Sequence, residues 1–330
     1  MKAIVFYEYG APEVLQVQEI EKPVPRAGEV LVRVRAASVN PADHYLMRGR
    51  PYVFRMMSGW TRPKVNGIGQ DFAGVVEGVG SGVDALRTGD EVFGEVAGQF
   101  SDVTRSFAEY IRVSAASVVT KPSNVSFAEA AAVPLAGRTA LHALRDCGRI
   151  QPGQHVLING AGGGVGVFAV QLAKHFGATV TAVCSESKGG LLRELGADRI
   201  IDYRQQDFTA ERVSYDLIVD MVSSQSVRRC RRVLATHGTY VWVGAPDTDR
   251  WLGPLRPMFA VLWMSVLGGR QRWRCAATPQ LPDDLMFLAR LLADGKLRPV
   301  IDRRYPLEHG ADAIRYLEQG HACGKIVIEV

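Results

Sequence analysis

Residues 156–166 read VLINGAGGGVG, four strand-like residues leading into a tract in which five of the last seven positions are glycine. The amphipathic stretch VGVFAVQLAKHFGA follows at once. A strand that ends in bare backbone and then opens a helix has the form of the first βαβ turn of a doubly wound sheet. There, missing side chains let a pyrophosphate approach the helix N-terminus and its free N–H groups. No other feature of the chain restricts its fold as strongly, because the turn requires a parallel sheet with crossover helices. The tract departs from the usual G-x-G-x-x-G, reading Ala161-x-Gly163-x-x-Gly166 with Gly160 just before. Gly160, Ala161, Gly163, Gly164, Val165 and Gly166 are therefore candidate contacts of a dinucleotide.

The rest of the chain fits around that unit. Strand-like TVTAVCS, RIIDY, YDLIVDMV and GTYVWVG alternate with helical KGGLLRELGA and a helix near 225–235, the pattern of a parallel sheet. The first 122 residues differ, with short β-like runs (GEVLVRVRAASV, DFAGVVEGVG, GDEVFGEV, SFAEYIRV) separated by glycine-rich turns, as in a compact antiparallel barrel. Helices opened by Ser126 and broken at Pro134 join the two textures. The tail holds the helices DDLMFLARLLADG and GADAIRYLEQG and a last strand, GKIVIEV. At 330 residues, two domains are expected.

The end of the second strand bears on the cofactor. NAD-binding folds place an Asp or Glu there for the ribose 2′-hydroxyl. This chain has VCSESKGG, with Ser185 at the tip, Lys188 three residues on, and Glu186 past the strand end. A hydroxyl and an ammonium suit a 2′-phosphate, so NADP(H) is the expected cofactor. Capping of the following helix is the structural alternative for both. Val222, Val243 and Gly244, at the ends of later strands, are further cofactor candidates.

Several segments in order, GEVLVRVRAASVNPADHY (28–45), GIGQDFAGVVEGVGSGV (67–83), AAVPLAGRTALHAL (131–144), the glycine tract, LGADRIIDYRQQDF (195–208) and GKIVIEV, carry a resemblance over essentially the whole chain. It resembles the zinc-lacking medium-chain dehydrogenases/reductases of the quinone oxidoreductase (zeta-crystallin-like) family. That resemblance implies a Rossmann doubly wound parallel sheet plus a GroES-like, mostly antiparallel β-barrel catalytic domain. The catalytic domain would be discontinuous (1–123 and 276–330), with the NADP-binding domain at 124–275. Zinc-dependent relatives carry a cysteine at the position of Asn40, a histidine at that of Gln70 and a further cysteine in the 131–144 region, none of which is present here, so no metal is expected. The resemblance places Asn40 and Tyr45 beside the nicotinamide and the acceptor, Thr139 at the nicotinamide amide and Tyr203 at the adenosine phosphate. It also implies a homodimer paired through the last sheet strand, taken to be GTYVWVG.

The expected activity is NADPH-dependent hydride transfer to a quinone or other α,β-unsaturated carbonyl. An amide and a phenol can donate hydrogen bonds to the oxygen that gains charge, with Asn40 fixing the Asn-Pro turn and Tyr45 belonging to the core as the structural alternatives. An enoyl-thioester reductase using Tyr52 as proton donor is the enzymatic alternative, and a nucleotide-bound RNA-binding protein using the basic run RRCRR (228–232) is the other. That run fits an exposed helix face, so nucleic acid is not the expected partner. The segment WLGPLRPMFAVLWMSVLG (251–268), with Trp251, Phe259 and Trp263, is expected to line a bulky apolar acceptor site, or else to serve packing. The most apolar stretch, MFAVLWMSVLGG (258–269), is too short to span a bilayer. Five scattered cysteines and no signal-peptide pattern point to the cytoplasm.

Overall fold

The computed structural model describes residues 1–96, 105–244, 251, 255–267, 269–276 and 282–330. In chain order, strands β1 (Lys2–Val5), β2 (Gln16–Glu19) and β3 (Glu29–Val39) precede helices α1 (Pro41–Arg48) and α2 (Arg55–Ser58). Strands β4 (Asp71–Val79), β5 (Glu91–Glu95), β6 (Tyr110–Ser114) and β7 (Val118–Thr120) lead to α3 (Phe127–Ala131) and α4 (Pro134–Leu141). The chain continues through a π-helical turn, His142–Cys147, into β8 (His155–Asn159), α5 (Gly166–His175), β9 (Thr179–Cys184), α6 (Glu186–Glu194) and β10 (Arg199–Asp202). Next come β11 (Tyr215–Asp220), α7 (Val227–Val233), β12 (Leu234–Trp242), α8 (Leu255–Leu267) and β13 (Arg272–Cys275). The last elements are α9 (Pro282–Ala293), β14 (Ile301–Pro306), α10 (Gly310–Glu318) and β15 (Lys325–Glu329).

Two compact units result: Met1–Ala136 with Gln280–Val330, and Gly137–Pro279. The first is built on a seven-stranded sheet ordered β14-β15-β3-β4-β5-β7, with β6 also paired to β3, and a β1-β2 ribbon. Its pairings are antiparallel apart from β14 with β15. The division falls after Ala136 rather than at 123/124. Ser126 caps α3 through Glu129, Ala128, Ala130 and Ala131 are buried, and the Leu135 amide donates to Asp71 Oδ1 on β4 at 3.0 Å. The packing of α3 against β3, β4, β5 and β15, with the Leu135 bond at the start of α4, keeps residues 124–136 with the first unit.

The second unit is a six-stranded parallel sheet ordered β10-β9-β8-β11-β12-β13. Counted within the unit this is the order 3-2-1-4-5-6, whose direction of winding reverses between β8 and β11. Ligands of such sheets bind at that reversal, off the carboxyl ends of the strands. Strand GTYVWVG is not the sheet edge: β12 pairs β13 on its outer side. The strand RWRC of β13 was hidden because it is short and alternates arginine with one buried residue, Trp273. Among the described residues no helix is long and apolar enough to cross a membrane.

Candidate active site

The glycine tract has the geometry of a phosphate cradle. Gly160 has φ +87°, and its amide and that of Ala161 both donate to Val183 O on β9. A Cβ on Gly166 would lie 2.3 Å from Gly160 O, so this position admits only glycine where the helix folds back on the turn. Gly163 faces outward, with only Gly160 O within contact of an added Cβ. No side chain caps the N-terminus of α5, which leaves its amide end to a ligand. The donor set beyond the turn fits a phosphorylated ribose. Ser185 is the N-cap of α6, its Oγ 3.2 Å from Ser187 Oγ, and the Lys188 side chain lies across Gly162, whose Cβ would fall 2.5 Å from Lys188 Cδ. Tyr203 is exposed just beyond β10, its amide bonded to Cys184 O at the end of β9. The Arg204 guanidinium sits 5.8 Å from the Tyr203 ring centre. Arg204 was passed over in the sequence because nothing in the motif marks it; the β9–β10 pairing brings it to this strand end.

Val222, Val243 and Gly244 meet at the ends of β11 and β12. Val222 lies against Gly160, whose Cβ would be 2.6 Å from Val222 Cγ2. Their positions are set by Asp220, which sequence reasoning missed. Its Oδ1 accepts from Asn159 Nδ2 and from the amides of Val222 and Ser223 at 2.7–3.0 Å, and its Oδ2 accepts from the Tyr240 hydroxyl at 2.7 Å. Burial pushes the Asp220 carboxyl upward, and these donors pull against that shift. Ser223 Oγ in turn donates to Gly244 O at 3.0 Å.

In the first unit, the ends of β3, β4 and β15 converge on a buried polar network. Asp71 Oδ2 accepts from Ser38 Oγ at 2.8 Å and Asn40 Nδ2 at 2.9 Å, and the Lys325 ammonium lies 3.5 Å away. Lys325 Nζ also donates to Val39 O and to Asn40 Oδ1. Asn40 Nδ2 gives a further bond to Ser38 O at 3.3 Å, and the residue is 2% exposed. Both ends of the Asn40 amide are thus engaged within the protein, which leaves no donor for a substrate carbonyl. Asn40 instead opens α1: its own amide donates to Asp43 Oδ2 at 2.8 Å, with Pro41 in the first turn. Asp43 Oδ1 accepts the Gly69 amide at 3.1 Å. Burial, with Asp71 nearby, pushes Asp43 up to about 7, while the Asn40 amide, Arg105 and Lys325 oppose that rise.

Tyr45 stands half-buried on α1, its ring 5.3 Å from His44 and 6.3 Å from Phe54. Tyr52 is half-buried in the adjoining turn, with the Arg55 guanidinium 4.8 Å from its ring centre. Arg55 also covers Tyr9 at 4.4 Å and donates to Gly49 O at 2.8 Å, so it ties the 53–66 segment to α1. Thr139 is half-buried on α4.

Helix α8 holds to its own unit through buried Val261 and half-buried Met258 and Met264. Trp251, Phe259 and Trp263 are exposed, Trp263 at 69%. Residues 252–254 and 268 of that segment lie outside the described residues. The arginines of 228–232 form the outer face of α7, whose inner face is Val227, Cys230 and Val233. Among the described residues, no group of three or more His, Cys, Asp or Glu is placed to hold a metal ion.

Residues 26–123 match the model of the alcohol dehydrogenase GroES-like domain, and residues 195–328 that of the zinc-binding dehydrogenase. The chain is 35% identical to a 2-methylene-furan-3-one reductase of Solanum lycopersicum, over 99% of this chain and 79% of that one. It is 33% identical to an NADPH-dependent alkenal/one oxidoreductase, chloroplastic, of Arabidopsis thaliana, again over 99% and 79%. A solved quinone oxidoreductase from Coxiella burnetii superposes with a TM-score of 0.87 at 32% identity, covering 100% of this chain and 99% of that one. The protein belongs to the medium-chain dehydrogenase/reductase superfamily, within its zinc-lacking quinone oxidoreductase family.

Proposed function

We propose that this protein reduces quinones or other α,β-unsaturated carbonyls with NADPH and without a metal. The observation that carries the reading is the gathering of Ser185, Lys188, Tyr203 and Arg204 at the ends of β9 and β10, where an NAD-specific site would present a carboxylate. The names of the relatives, an enone reductase, an alkenal/one oxidoreductase and a quinone oxidoreductase, agree with it. Bound NADPH supplies the hydride. The tract Gly160–Gly166 and the N-terminus of α5 hold the pyrophosphate, Thr139 meets the nicotinamide end, and Val222, Val243 and Gly244 flank the dinucleotide. Tyr45 or Tyr52 donates a hydrogen bond to the acceptor oxygen as it gains charge. Asn40 acts through α1, on which Tyr45 stands. The Lys325 ammonium bonded to Asn40 Oδ1 adds positive charge where a metal cation would have to bind, which opposes one. Trp251, Phe259 and Trp263 offer an apolar face to bulky acceptors. Five free thiols fit a reducing compartment such as the cytoplasm. Two copies pair through the outer edge of β13.

The test is NADPH oxidation with quinones, enones and enoyl thioesters, in chelator-treated protein of measured zinc content. Turnover of quinones or enones at full rate without zinc is expected, rising with the apolar size of the acceptor and flattened by Trp263→Ala. Removal of one such donor costs about 10²-fold in kcat, and Tyr45→Phe or Tyr52→Phe identifies which phenol acts. Turnover of enoyl thioesters alone, or one tightly held zinc per chain, refutes the proposal.

A further inference from the structure

We propose that Cys147 is a nucleophilic thiol that adds covalently to electrophilic alkenes, the chemical class to which enones and quinones belong. The site is made by the local backbone. From His142 to Cys147 the chain winds as a π-helix, marked by the Gly148 amide bonding five residues back to Ala143 O at 2.9 Å. In an α-helix, residues five apart point roughly 140° away from each other; a π turn stacks them on one side. His142 Nε2 therefore reaches to 3.4 Å from Cys147 Sγ, and His142 Nδ1 lies 3.0 Å from Asp146 Oδ2.

The three side chains divide the work of a nucleophile, a base and an orienting group. Arg145 grips the Asp146 carboxylate with two bonds of 2.7 Å, and these, with the bond from His142, hold its carboxyl below the ordinary range. An ionised carboxylate on Nδ1 keeps the ring proton there and leaves Nε2 as the acceptor. Burial, with Asp146 nearby, pushes the Cys147 thiol upward, so it rests as S–H and passes its proton to His142 as it attacks. Sγ forms a bond to the β-carbon of the alkene, and the π pair moves to the carbonyl as an enolate. The proton carried by His142 then goes to the α-carbon. The S–H bond has been exchanged for S–C and C–H bonds, and no oxidant or reductant is consumed.

Cys147 and His142 are both half-buried, within reach of a small reagent, whereas Cys184 and Cys230 are buried. The thiol lies eight residues beyond Thr139, past the end of α4 and across the π turn, so it belongs to a second site. An acceptor that accumulates for want of NADPH would alkylate the protein there. The natural electrophile rests on the reductase reading; the reactivity of the thiol does not.

The experiment follows N-ethylmaleimide, itself an α,β-unsaturated carbonyl, on the full-length native protein, with the rate at each cysteine read by peptide mass spectrometry. Cys147 should label at least tenfold faster than Cys323, which is also half-buried. His142→Gln should slow Cys147 ten- to a hundredfold while the Cys323 rate, a reporter of the intact fold, stays constant. If His142→Gln does not fold, Asp146→Asn, at a more exposed carboxylate, makes the same comparison. Labelling of Cys147 no faster than Cys323, or at the parent rate in the variants, overturns the proposal. Fast labelling without any NADPH oxidation overturns only the reductase reading.

Discussion

Replacing Lys325 by methionine removes a charge from the centre of the first unit while keeping most of the side-chain volume. The Lys325 side chain is 3% exposed and Asp71 is fully buried, so neither can turn to water when its partner goes. Asp71 would retain Ser38 Oγ, Asn40 Nδ2 and the Leu135 amide, but no countercharge. Val39 O and Asn40 Oδ1 would each lose a donor. Breaking one side of a buried ion pair costs about 3–5 kcal/mol. The three bonds left on Asp71 place Lys325→Met near the lower end, about 3 kcal/mol. Burial also depresses the pKa of Lys325, so its charge is itself held against a desolvation cost. Adding Asp71→Asn neutralises the stranded carboxylate and should recover about 1–2 kcal/mol relative to Lys325→Met alone. Urea unfolding gives the global loss. Amide exchange in β3 and β15 localises it, which matters because a chain of two units need not unfold in one step. A loss under about 1 kcal/mol, or a double variant equal to the sum of its parts, would refute the network as an ionic one.

Two further outcomes are expected. Lys188→Ala should weaken NADPH binding roughly ten- to a hundredfold, the worth of one charge-assisted bond, while NADH affinity barely moves; calorimetry showing an equal effect on both cofactors would remove Lys188 from the phosphate site. Light scattering should find a dimer; a monomer in the unmodified protein at working concentrations would dispose of the pairing.

The sequence alone determined what depends on neighbours along the chain. The glycine tract, the strand before it and the helix after it are contiguous, and their spacing alone requires a βαβ turn, so the parallel sheet and its Gly160–Gly166 cradle were legible. Ser126 announced the start of α3, and Pro134 the break before α4, for the same reason. Tertiary structure decided what depends on residues far apart meeting. Arg204 joins the cofactor end only because β10 pairs β9, and Asp220 becomes the hub of the second strand-end loop only when β8, β11 and β12 align. The resemblance placed Asn40 beside the acceptor, where its amide could donate to the substrate oxygen. Lys325, 285 positions away, takes its oxygen, and Asp71 and Ser38 take its hydrogens. Likewise β13 carried too few apolar residues to be seen, yet it closes the edge that β12 was expected to present. His142 and Asp146, four apart, would share a face of an ordinary helix, but Cys147, five beyond His142, would point away. Only the π turn makes them one site, because hydrogen bonding five residues back changes which side chains share a face.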